Sequence, residues 1–125
     1  MKFRRAVVSS LHKHGAKLIL GTDAGAAYIP PGFSIVTELQ NLVEAGLSPY
    51  EAIKTGTKNV AELLGKTAIF GTIEKGKRAD FILLYSNPLK NVKNIENKIG
   101  VMVKGKWLSK KDLDKKLDKI EAAYN

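Results

Sequence analysis

The chain contains no cysteine, which excludes disulfides, thiolate metal sites and thiol nucleophiles, although it leaves the redox compartment open. No apolar run approaches the ~20 residues of a membrane span, so no membrane contact is expected. Histidine is scarce: His12 and His14 are the only two in 125 residues. Aromatics are also few, at 7%, and they are not spaced between basic residues as a base-stacking platform requires.

Charge of one sign is in excess, with 21 Lys and Arg against 12 Asp and Glu, a formal net charge of +9. The excess lies in two places. Lys2, Arg4, Arg5, Lys13 and Lys17 precede the first acid, Asp23. Towards the other end, lysines from Lys104 to Lys119 are interleaved with Asp112, Asp114 and Asp118. That interleaving suits a solvated helix face with local ion pairs, and no nucleic-acid partner is expected. The basic start Met1–Leu11 is broken by His12-Lys13-His14 too early for a signal-peptide core, and no small-residue cleavage site follows. A cytoplasmic location is the expectation. One domain's worth of chain is present, short of the about 250 residues of a closed (β/α)8 barrel.

The pattern centres on Lys17-Leu18-Ile19-Leu20-Gly21-Thr22-Asp23-Ala24-Gly25. A short apolar run ending in glycine and a carboxylate reads as a buried strand with its polar end at a site. Residues just past the C-terminal ends of parallel strands are the ones that meet ligands, and Asp23 stands there. A turn residue or helix cap is the plainer alternative for the same aspartate.

Before this stretch, Arg4 to Lys13 is expected to be a helix ending at Gly15. Two histidines two residues apart on a helix diverge by about 200°, so His12 and His14 are not expected to share a metal. After it come a loop broken by Pro30-Pro31-Gly32 and a helix from about Ser34 to Gly46, with Glu38 read as a surface residue. Ser48-Pro49-Tyr50-Glu51 spells a helix start with a capping box. Thr57 and Asn59 are expected to cap a further short helix running to Gly65. From Gly71 the period changes: strands are expected at Gly71–Ile73, Ala79–Tyr85, Ile99–Val103 and Lys106–Leu108, the last two joined by a Lys104-Gly105 turn. Asp80 reads as structural. A final helix from Ser109 lines up Leu113, Leu117 and Ile120.

Leu20-Gly21-Thr22-Asp23-Ala24-Gly25, Pro31-Gly32, Glu38-Leu39 and Val43-Glu44-Ala45-Gly46-Leu47-Ser48-Pro49-Tyr50-Glu51-Ala52 together resemble the C-terminal third of an amidohydrolase. Specifically, they resemble the imidazolonepropionase-like branch of that metal-dependent hydrolase superfamily. Asn59, Ala61-Glu62, Leu64-Gly65 and Phe70-Gly71-Thr72-Ile73-Glu74-Lys75-Gly76-Lys77-Arg78-Ala79-Asp80-Phe81 continue the resemblance to about Leu108. It implies an α/β fold: the C-terminal part of a (β/α)8 metal-dependent hydrolase barrel over residues 1–68, then a small β unit with a C-terminal helix over 69–125.

The resemblance further implies that Leu18–Leu20 is the eighth barrel strand and that Asp23 is both metal ligand and catalytic proton carrier. The complete enzyme would use a divalent metal, zinc, to hydrolyse non-peptide or dipeptide-like C–N bonds in a small-molecule substrate. The chain alone is expected to be inactive and to hold no metal. The family's other ligands should lie upstream, whereas a zinc site takes about three protein ligands. Val36 departs from the pattern, which usually has histidine there. One barrel strand cannot close a sheet, so self-association or a missing N-terminal half is expected to cover its bare faces. The alternative function is a non-enzymatic assembly module built on a barrel remnant.

Overall fold

The structure, a computed structural model, describes residues 2–29 and 31–124; Pro30, named in the loop above, lies outside them. Among the described residues five helices and three strands follow one another as α1 (Lys2–Lys13), α2 (Ser34–Glu44), α3 (Pro49–Thr55), α4 (Lys58–Leu63), β1 (Phe81–Leu84), β2 (Lys98–Val103), β3 (Lys106–Ser109) and α5 (Lys110–Tyr124), with a 3₁₀ helix at Val92–Glu96 before β2.

Local signals set most of these ends. Gly15, at φ 78°, closes α1, where the Ala16 amide donates to the Leu11 carbonyl at 2.9 Å, the long bond of a glycine-terminated helix. Gly46 does the same after α2 at φ 106°. The capping box of α3 is formed as the sequence spells it: the Glu51 amide donates to Ser48 Oγ at 3.2 Å and the Ser48 amide donates to Glu51 Oε2 at 2.8 Å. The Ser48 hydroxyl, which donates to Glu51 Oε2 at 2.6 Å, and then the Ser48 amide hold the Glu51 carboxyl below its usual range. Ser109 and Asp112 build the same box at the start of α5.

A small core sits where α2, α3 and the 3₁₀ helix meet. Val36, Leu39, Leu47, Ala52, Val92 and Ile95 are buried together, with Val8, Leu18, Leu20 and Leu84 packed against them. Val92 and Ile95 come from the far side of residue 69, so one cluster draws on both halves of the chain. Val36, where the resemblance would place histidine, is 6% exposed and serves as core.

Two expected strands are not strands. Lys17–Leu20 belongs to no sheet, and neither does Gly71–Ile73. A strand exists only where a neighbour completes its ladder, and among the described residues nothing lies alongside either segment as a strand. The expected strand from Ala79 to Tyr85 is realised over its central four residues as β1. It pairs antiparallel with β2, Phe81 opposite Met102, with an irregularity between Leu83 and Leu84. β2 pairs antiparallel with β3, Met102 opposite Trp107, giving the order β1-β2-β3.

The β2–β3 hairpin turns at Lys104 and Gly105, both at positive φ (49° and 79°), as the tightest right-twisted hairpins require. Asp80 locks this turn. The Lys104 amide donates to Asp80 Oδ1 at 2.6 Å, the Gly105 amide donates to the Ala79 carbonyl at 3.0 Å, and Arg78 donates to the other carboxylate oxygen. The Lys104 amide, with Arg78 behind it, holds the Asp80 carboxyl below its ordinary value of 3.8. A carboxylate stabilised this way supports the fold fully above its unfolded pKa and loses that support as pH falls through its lower folded pKa. The Lys104 amide resonance is therefore expected to titrate with a midpoint below 3.8, and Asp80→Asn is expected to flatten urea stability between pH 7 and pH 3. A midpoint at or above the ordinary value would contradict the lock.

Candidate functional site

Asp23 lies in a tight loop that follows the unpaired segment Lys17–Leu20. Its backbone is left-handed, φ 50°, an uncommon state that aspartate tolerates better than most residues. The Ala26 amide donates to the Asp23 carbonyl at 3.1 Å, and Gly25 and Ile29 close the loop by a bond from the Gly25 amide to the Ile29 carbonyl at 3.1 Å. The Asp23 side chain is exposed.

What holds the approach to Asp23 in place is a pair of bonds along one edge of the preceding segment. Asn59 Nδ2 donates to the Leu18 carbonyl at 2.8 Å, and the Leu20 amide donates to the Thr55 carbonyl at 3.2 Å. Residues 18 and 20 present their backbone groups to the same side when the chain is extended, so the α3–α4 corner serves one edge and leaves the other. Asn59 is 8% exposed and Thr55 2%. Asn59 is thus no helix cap, contrary to the reading from sequence: it is the second residue of α4 and its amide reaches 41 positions back. The Thr57 side chain does not cap α4 either, since its hydroxyl donates to the Ile53 carbonyl at 3.0 Å. An asparagine at a core-facing position of a helix was the available signal, because a buried amide needs a partner.

Beside the Asp23 loop is a cavity of about 300 Å³ lined by Thr22, Tyr28, Ile29, Phe33, Ser34, Thr37 and Glu38. Glu38, read from sequence as a surface residue, is half-buried and forms part of this wall. Tyr28, also left-handed at φ 63°, and Phe33 are exposed at its rim; the sequence marked their loop but not these two side chains.

The histidines are elsewhere. His14 Nδ1 lies 2.8 Å from the Ser10 carbonyl, and His12 Nε2 lies 3.3 Å from Glu51 Oε1. His12 lines a second cavity, of about 240 Å³, with Lys17, Leu18, Glu51, Thr55, Asn59 and Glu62, which Asp23 does not reach. Lys17 binds Glu62 there at 2.7 Å, and that hydrogen bond holds the Glu62 carboxyl below its usual range. Among the described residues no three His, Asp or Glu side chains gather as a metal site. Among the described residues Asp23 therefore does not have a second and a third His, Asp or Glu beside it to complete a metal site, where about three protein ligands are needed.

A model of the amidohydrolase family matches residues 2–108, ending just before α5. Ochratoxinase of Aspergillus niger is 40% identical over 83 residues, 65% of this chain and 16% of that protein. Imidazolonepropionase of Pseudomonas syringae pv. tomato is 32% identical over 111 residues, 88% of this chain and 24% of that one. A putative prolidase from Bifidobacterium longum superposes with a TM-score of 0.75 at 33% identity, over 90% of this chain and 29% of its own. The chain thus spans between 16% and 29% of the length of these relatives.

The Asn59 bond gives a direct test of how the Asp23 segment is held. Asn59→Ala leaves the Leu18 carbonyl without its partner and is expected to cost about 1–3 kcal/mol in urea unfolding. It should also speed amide exchange at Leu20 more than at Leu39. Equal exchange at both sites, with unchanged stability, would show that the bond does not hold the segment.

Proposed function

This chain belongs to the amidohydrolase family, and we propose that it is the segment of a small-molecule C–N hydrolase that brings Asp23 to a metal site. In this reading Leu18–Leu20, which forms no strand on its own, becomes the eighth strand of a (β/α)8 barrel once neighbouring strands pair with it, and the loop after it presents Asp23 at the barrel's catalytic end. The other ligands of a divalent metal, zinc, come from outside this chain, as do the loops that select the substrate. A small-molecule substrate follows from the same reading.

The observation that carries it is the state of the Asp23 segment. Residues 17–20 have one backbone edge served by the α3–α4 corner and no strand beside them. Phe3, Val7 and Leu11, at 81%, 42% and 45% exposure, leave an apolar stripe of α1 bare, and Ile19 is 42% exposed beside them in sequence. Such surface on a chain this size asks for a cover. Neighbouring barrel strands and helices would supply both the ladder and the cover, and their catalytic ends would bring the remaining ligands towards Asp23.

A chimera tests the reading. Residues 2–108 replace the matching quarter of the Pseudomonas syringae imidazolonepropionase, and the product is assayed for that enzyme's own activity. The chimera is expected to be active and to lose at least about 100-fold on Asp23→Asn, the scale set by losing a positioned acid–base group. A folded, active chimera indifferent to Asp23→Asn would overturn the assignment of Asp23.

A further inference from the structure

Helix α5 begins beyond the residues that the family model matches, so its surface is not accounted for by the barrel. It packs against β2 and β3 with Leu113 half-buried, but further along the same stripe Leu117 and Ile120 are 48% and 57% exposed. The spacing 113, 117, 120 is the alternating four-three step of a heptad seam, with Leu117 at position a and Leu113 and Ile120 at position d. On that frame Lys116 falls at g, and Asp114 and Glu121 fall at e. One flank of the seam is basic and the other acidic.

We propose that this face is a self-association surface, on which a second copy of the chain lays its own α5 parallel and in register. Charge decides the partner and the direction. In a parallel pair the g residue of one helix meets the e residue five positions on in its partner, which sets Lys116 of each copy against Glu121 of the other. Both are free for it: among the described residues neither Lys116 nor Glu121 forms a hydrogen bond or ion pair within the chain. Asp114, by contrast, is already engaged by Lys110 at 2.9 and 2.7 Å. Lys116 forms part of the wall of a cavity of about 410 Å³ with Lys106, Trp107, Asp112, Lys115 and Lys119, where lysines outnumber the single carboxylate and keep that flank basic. An antiparallel pair would set like flanks together, lysine beside lysine, and is disfavoured by the same charges. The seam is short, so the association is concentration-dependent rather than obligate.

The absence of cysteine makes the test clean. Ile120→Cys places the thiol at the seam, where a parallel in-register pair brings it against its own counterpart, whereas Asp118→Cys points it away. Under mild oxidation the full-length Ile120→Cys chain is expected to form disulfide-linked dimers about tenfold faster than Asp118→Cys. In sedimentation at graded concentration, Lys116→Glu or Glu121→Lys alone is expected to weaken the dimer about fivefold, and the two together to restore it. Circular dichroism confirms that each variant is folded; these are exposed positions, and the charge swap stands if a cysteine variant fails. A chain that stays monomeric, equal cross-linking at 118 and 120, or a dimer indifferent to both charge reversals would overturn the proposal. The last outcome would move the contact to the bare stripe of α1.

Discussion

Backbone groups taken out of water must be paired, and the segment before Asp23 shows how hard that rule presses on this chain. The Leu18 and Leu20 side chains pack against the core, and the Leu18 carbonyl and Leu20 amide are both hydrogen-bonded. With no strand beside them, a buried asparagine and a helix-end carbonyl take the role of a neighbouring strand. The position of α4 follows from that need, since Asn59 must stand within reach of Leu18. The loop that presents Asp23 inherits its starting point from the same two bonds.

The rest of the molecule divides between what is satisfied locally and what is not. Capping boxes, the positive-φ turn at Lys104-Gly105 and the Asp80 lock are each complete within a few residues or one hairpin. The apolar surfaces are not complete. Among the described residues a small cluster around Val36, Leu39 and Ile95 is buried, while Phe3, Ile19, Ile73 and Ile120 remain exposed. In the proposed reading, faces such as those of Phe3 and Ile19 pack against the rest of a barrel, and that of Ile120 packs against a second copy of α5.

Local chemistry was legible and long-range pairing was not. Ser48-Pro49-Tyr50-Glu51 announced α3 because every bond of its cap lies within four residues. Leu18–Leu20 read as a strand because periodicity reports the apolar run, whereas a ladder depends on segments that periodicity cannot see. Asn59 was misread for the same reason, its partner being 41 residues away. Asp80 was read as structural from its place at a strand start, and the Lys104 turn it holds gives that reading its content. The family was legible because two ordered motifs, one around Asp23 and one from Phe70 to Phe81, fall at the right separation, and the match over residues 2–108 bears it out.

The proposed function turns on Asp23 acting as a metal ligand whose companions come from outside this chain. Zinc stoichiometry measures this most directly, by equilibrium dialysis of the purified chain at neutral pH beside Asp23→Ala. The account predicts no tight equivalent of zinc in either protein. One tightly held zinc per chain, lost in Asp23→Ala, would contradict it and would mean that copies of this chain complete the site among themselves.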